Sequence, residues 1–133
     1  MSSVAIPIPR DAVDQVLPRV LPHLTRAVDK SDGWTVDLAI RRIHNNQALL
    51  WAVIDGRETI GCALTELHDD CAYVALVGGV RWTEWRSELS KVEEWARLAG
   101  VRCVKIDGRR GWSRLLSRDG YQPDETGMLS KDV

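Results

Sequence analysis

The spacing of apolar residues switches between the period of a strand and that of a helix along this chain, and each switch marks an element. Residues 4–8 are apolar but include Pro7 and are followed by Pro9, so they can form only an edge strand, where a missing amide donor costs no ladder bond. Over residues 11–28 the apolar positions fall at Val13, Val16, Leu17, Val20, Leu21, Leu24 and Val28, the spacing of one helical face. Pro18 and Pro22 each remove an amide donor and crowd the turn before them, which predicts a kinked or broken helix. Thr35 can cap a second helix that carries Val36, Ile40 and Ile43 and stops at Asn45 and Asn46.

Strand patterns then take over. Residues 49–54, 59–67 and 73–77 are joined by the turn dipeptides Asp55-Gly56 and Asp69-Asp70, which predicts an antiparallel meander. From Thr83, the natural N-cap, Trp85, Leu89, Val92, Trp95, Ala96 and Ala99 form a helical stripe that Gly100 ends. Residues 101–106 read as a strand entered from that helix, so the three elements form a βαβ crossover and this strand should lie parallel to 73–77. A short helix over 112–118 and a strand-like tail over 121–131 follow. The pattern is that of an α/β fold, with a mixed central sheet behind an N-terminal helix pair. With no repeat, linker or low-complexity tract, it reads as a single domain over 1–133.

Composition agrees with one domain: 133 residues, 44% apolar, can bury one core and leave no room for a second. A formal net charge of −1 and a pI of about 6.3 give no global electrostatic ground for nucleic acid or a membrane surface as partner. No apolar run reaches the roughly 20 residues of a membrane helix, and the start lacks the basic-then-apolar order of a signal peptide. Cys62, Cys71 and Cys103 are odd in number and form no C-x-x-C pair, so they read as reduced core thiols of a cytoplasmic protein. With six tryptophans and no phenylalanine, the indoles are expected to take the core volume that phenylalanine would fill. His23, His44 and His68 lack metal-binding spacing, and no metal is expected.

The order of elements, the run Gly111 to Tyr121 with its Gly120-Tyr121 ending, and the tail Met128-Leu129-Ser130-Lys131 resemble the GNAT superfamily of N-acetyltransferases from end to end. The resemblance implies acetyl-CoA, or another acyl-CoA, as cofactor, lying where the strand before the long helix splays from its parallel neighbour. Its diphosphate would rest on the helix N-terminus, where unpaired amides and the helix dipole favour an anion. A small-molecule or protein amine would be the acceptor. The superfamily signature, Arg or Gln, two residues, Gly, one residue, Gly or Ala, is absent: Trp85 and Glu84 stand where the glycines should fall. Val77, Gly78, Gly79, Val80 and Arg81 are therefore the candidate cofactor-binding residues, the glycines as an alternative nest of amides and Arg81 as phosphate charge.

The position matching the superfamily's general-acid tyrosine is Leu116. Glu66, Tyr73 and Asp107, on or at the ends of the central strands, are the candidate bases, since such a group could take a proton from an ammonium directly or through water. Arg109 and Arg110, flanked by Gly108 and Gly111 at the end of a parallel strand, could fork onto a substrate carboxylate or phosphate. The expected activity is acyl transfer to an amine by direct attack. The alternative is a GNAT-fold binding or assembly module without catalysis, similar to small reading frames of bacterial and phage genomes. Homo-oligomerisation is compatible with either.

Overall fold

Strand β1 (Val4–Pro7) leads through a 3₁₀ turn (Arg10–Ala12) into α1 (Val13–Asp29) and α2 (Val36–His44). A meander of β2 (Leu49–Asp55), β3 (Glu58–His68) and β4 (Cys71–Gly79) follows, then α3 (Trp82–Trp85), a second 3₁₀ turn (Arg86–Glu88), α4 (Leu89–Leu98) and β5 (Cys103–Ile106). The chain closes with α5 (Trp112–Ser117) and the hairpin β6 (Gln122–Pro123) and β7 (Leu129–Asp132). The computed structural model describes residues 3–107 and 112–133.

All seven strands join one mixed sheet in the order β1-β2-β3-β4-β5-β7-β6. The pairs are antiparallel except β4 with β5, which run parallel from Cys71↔Cys103 to Val74↔Ile106, as the crossover requires. Strand β1, which ends at Pro7, is an edge strand, paired only with β2 among the described residues. Gly56 and Asp69 adopt positive φ in the two meander turns, at 64° and 55°.

Alternation along the strands gives the sheet two apolar faces. On one, Val20, Leu24 and Ala27 of α1 and Ile43 of α2 pack on Leu50, Cys62, Leu64 and Leu76. On the other, Trp85, Leu89, Val92 and Ala96 pack on Trp51, Val74, Val77, Val104 and Ile106. This second layer contains a buried carboxylate, Glu93, which accepts from the Tyr121 hydroxyl at 2.9 Å and from Lys131 at 3.0 Å. Burial and the adjacent Glu93 carboxylate push the Tyr121 phenol well above its ordinary range, so it stays a neutral donor.

The structure corrects the sequence reading at several points. Helix α1 is continuous through Pro18 and Pro22. Both rings lie on its exposed side with Asp14, so the carbonyls they leave unpaired face water rather than core. Thr83 is not a cap: α3 begins at Trp82 after Arg81, and the stripe from Trp85 to Ala96 is split by the 3₁₀ turn. The cysteines are not all reduced. Cys71 and Cys103 form a disulfide, because their register on neighbouring parallel strands brings their Cα atoms to 4.7 Å. A spacing of 32 residues hid the pairing, and the thiol argument for a reducing compartment falls with it. Cys62 is a free buried thiol, and burial pushes its pKa up to about 12.

Candidate active site

The sheet opens at the carboxyl ends of its parallel strands. The β4–β5 ladder stops at Val74↔Ile106, while β4 continues to Gly79. Just there β4 bulges: Leu64 faces Leu76 and Thr65 faces Val74, leaving Ala75 as the extra residue. A bulge bends and twists its strand, so β4 turns away from β5 at the point where their pairing ends. The opening is a cleft of about 170 Å³ lined by Lys30, Ser31, Val74, Ala75, Val77, Ile106, Asp107 and Trp112. Carboxyl ends of parallel strands are where α/β sheets receive ligands.

The three candidate bases do not share this cleft. Asp107 lines it, is exposed, and has no hydrogen bond or ion pair among the described residues. Glu66 lies at the other end of β3. There it accepts from Arg42 Nε and lies within hydrogen-bond distance of His68 Nε2, each at 2.6 Å, beside a separate groove of about 430 Å³ that includes Trp95. Tyr73 stands in register with Glu66 on one side and Lys105 on the other, and its ring meets that of His68 at 5.7 Å. Arg109 and Arg110 lie outside the described residues.

The candidate cofactor loop is built around an indole. Gly78 and Gly79 belong to the β3–β4 ladder, opposite Cys62 and Gly61. A Cβ on Gly78 would run into the His23 carbonyl oxygen of α1, and one on Gly79, whose φ is 142°, would stand 2.5 Å from Gly61 Cα and from the Ile60 oxygen. Both glycines are thus required by protein packing. The Val80 amide donates to Ile60 at 2.9 Å, and Trp85 Nε1 donates back to the Val80 carbonyl at 2.8 Å. Arg81, in the left-handed region at φ 58°, pairs with Asp55 at 3.0 Å and stands 3.6 Å from Glu84 and 3.9 Å from Glu58. Val77 alone of the five candidates lines the cleft.

Several residues at the site carry no sequence motif. Trp82 stacks on Trp112 with centroids 4.8 Å apart and planes at 18°, and meets Trp85 edge-on at 4.7 Å, so α3 and α5 touch through indoles beside the cleft. The Trp82 Nε1 is buried without an acceptor among the described residues. Three of six tryptophans in a chain without phenylalanine meet here, which composition signalled without locating. Leu116, at the position of the superfamily's tyrosine, is fully buried.

Lys105 donates to Asp124 at 2.9 Å, tying the β6–β7 turn to the strand that ends at the cleft. Asp124 also accepts from the Thr126 hydroxyl and amide and from the Met128 amide. The Thr126 hydroxyl first, then the Lys105 ammonium, hold its carboxyl far below the usual range, and the bond to Asp124 raises Lys105 in turn. Among the described residues no group of His, Cys, Asp and Glu could hold a metal ion, and no helix is long and apolar enough to cross a membrane.

This sheet, splayed at β4 and β5 and layered by α1, α2 and α4, is the fold of the GNAT acetyltransferases. An acetyl-CoA-bound GNAT acetyltransferase from Elizabethkingia anophelis superposes with a TM-score of 0.73 at 13% identity, over 99% of each chain. The IAA acetyltransferase from Bacillus cereus gives 0.69 at 15% identity, over 99% of this chain and 100% of that one. The ribosomal-protein-S18-alanine N-acetyltransferase from Escherichia coli gives 0.66 at 13% identity, over 98% and 94%. No family model matches the sequence, and no curated protein does. At these identities the likeness is one of fold.

Proposed function

We propose that this protein is an N-acyltransferase that passes an acyl group from a thioester such as acetyl-CoA to an amine, on a small molecule or a protein, by direct attack. The observation that carries this reading is the cleft at the end of the β4–β5 ladder, with the bulged residue Ala75 on its wall and at its rim the exposed carboxylate of Asp107, which has no ion pair among the described residues. Its apolar wall of Val74, Val77, Ile106 and Trp112 fits the acyl end of a thioester. Structures of this fold solved with acetyl-CoA or coenzyme A bound support the donor class.

Asp107 takes a proton from the acceptor ammonium, directly or through water. The freed amine attacks the thioester carbonyl carbon, the C–N bond forms, the attacking nitrogen releases its second proton to solvent, and the C–S bond breaks with its electron pair on sulfur. With leucine at position 116, the departing thiolate takes its proton from solvent. Amines screened with acetyl-CoA, for the parent and Asp107→Asn, test the assignment. The variant is expected to lose about 10²–10⁴-fold in rate with donor binding unchanged. Equal rates would remove Asp107 from the reaction.

A second reading, a binding or assembly module without catalysis, draws support from the buried Leu116 and from the Trp82–Trp112 stack beside the cleft. Melting curves separate the two. A ligand at ~100 times its dissociation constant adds about 2.7 kcal/mol, so an unmoved melting temperature at millimolar acetyl-CoA would favour the module.

A further inference from the structure

We propose that the acceptor is a small amino acid, a zwitterion held with its ammonium toward Asp107 and its carboxylate toward Lys30. The inference rests on the acyl-transfer reading above and specifies which amines the site takes.

The cleft beside β4 and β5 is lined from both faces of the sheet. Val74, Val77, Ile106 and Trp112 belong with the core beneath α4, and they form the wall assigned above to the acyl end. Lys30 and Ser31 come from the other face, at the end of α1, which packs on Leu76 of β4. The Lys30 amide donates to Ala27 at 3.3 Å and the Ser31 amide to Val28 at 3.1 Å, which fixes the backbone carrying both side chains. Donor and acceptor thus have separate approaches to one opening, and the acceptor's approach is the polar one.

Among the described residues that line the cleft, Lys30 is the one cation and Asp107 the one anion. Neither makes an ion pair among the described residues, with each other or with Asp29 and Asp32 beside Lys30 in sequence. The Ser31 hydroxyl likewise makes no hydrogen bond among them. The loop after β4 behaves differently: Arg81 and Arg86 are each paired with a carboxylate. Opposite charges that share a cleft without meeting suit a ligand carrying the complementary pair. An amino acid carries it. Its ammonium faces Asp107, the base, and its carboxylate accepts from the Lys30 ammonium and the Ser31 hydroxyl. An amine without a carboxylate leaves Lys30 as a like charge near its own ammonium, which selects against it. After transfer the nitrogen is neutral and the product keeps only its carboxylate, which Asp107 repels, so the product leaves more readily than the substrate.

Thiol release from acetyl-CoA by the full chain tests this, with each common α-amino acid, its carboxamide and its decarboxylated amine as acceptor. The best amino acid should exceed its carboxamide about tenfold in kcat/KM, and the advantage should shrink at high salt because both charges are exposed. Amine basicity cannot produce that preference, since the carboxylate holds the ammonium proton more tightly and leaves less free amine. Lys30→Gln should bring the ratio to within about threefold of one, whereas Lys30→Arg, which keeps the charge, should retain the preference. Carboxamides, simple amines or lysine-containing peptides used as well as any amino acid would overturn the inference and leave the transferase reading in place. A preference that survives Lys30→Gln would do the same, because the carboxylate would then be held elsewhere, as would a Lys30→Gln loss that lies in acetyl-CoA affinity. Transfer to none of these acceptors would overturn both readings. The parent's ratio of acid to carboxamide decides the matter even where a variant melts early.

Discussion

Gly78 and Gly79 invite a ligand-binding reading because a Gly-Gly pair before a helix lets a backbone approach an anion. In the fold the approach is made by protein: α1 reaches Gly78 through the His23 carbonyl, and β3 reaches Gly79 through Ile60 and Gly61. Gly127 provides the contrast, with a φ of 89° and open space around it. Gly79→Ala is expected to cost about 3 kcal/mol or more, since overlap with backbone adds to the unfavourable φ. Gly127→Ala should cost only about 1–2 kcal/mol, from φ alone. Urea denaturation of the two variants checks this, and equal losses would mean that α1 and β3 can shift to make room. The same logic separates the acidic candidates. Glu66 is buried between Arg42 and His68 and joins α2 to β3, whereas Asp107, just past the end of β5, is exposed and has no ion pair among the described residues.

Among the elements, strands and turns were legible because alternation and turn dipeptides are local signals, and the parallel pairing of β4 with β5 followed from the helix between them. Three features were not. The bulge at Ala75 leaves no mark in an apolar run, because an extra alanine changes neither composition nor turn propensity. The break between α3 and α4 falls at Arg86–Glu88, where no Gly or Pro announces it. The continuity of α1 depends on which side its prolines face, which spacing could have told, since Pro18 and Pro22 are four apart and off the apolar stripe. Of the candidate residues, Asp107 and Val77 line the cleft, while Ala75 and Trp112, which no sequence pattern marked, come to it only through tertiary packing.

The β6–β7 turn gives an element-scale test. A carboxyl whose pKa is lowered on folding stabilises the fold above its unfolded pKa of about 3.9, and that contribution is lost as pH falls through the folded value. Asp124 is such a group, held down by Thr126 and Lys105. Melting temperatures measured from pH 6 downward should therefore fall less steeply below about pH 4 for Asp124→Asn than for the parent. Parallel curves would show that the turn contributes nothing to acid stability.

At the scale of the whole molecule, the sheet is two halves joined at β4 and β5 by four register pairs, with the cleft at one end of the joint and the Cys71–Cys103 disulfide at the other. The halves are also linked by α3 and α4, and among the described residues this ladder is the strand pairing that connects β1 to β4 with β5, β7 and β6. A cross-link over 32 residues of sequence limits the unfolded chain, and its loss is expected to lower stability by about 2–4 kcal/mol. Thiol titration identifies the state directly. The unreduced native chain should give no reactive thiol, because Cys62 is buried with its pKa pushed up to about 12 and the other two are paired. Denaturant alone should release one thiol, and denaturant with a dithiol reductant all three. Three thiols released without reductant would show that the joint carries no cross-link, and reduction would then leave the melting curve where it was.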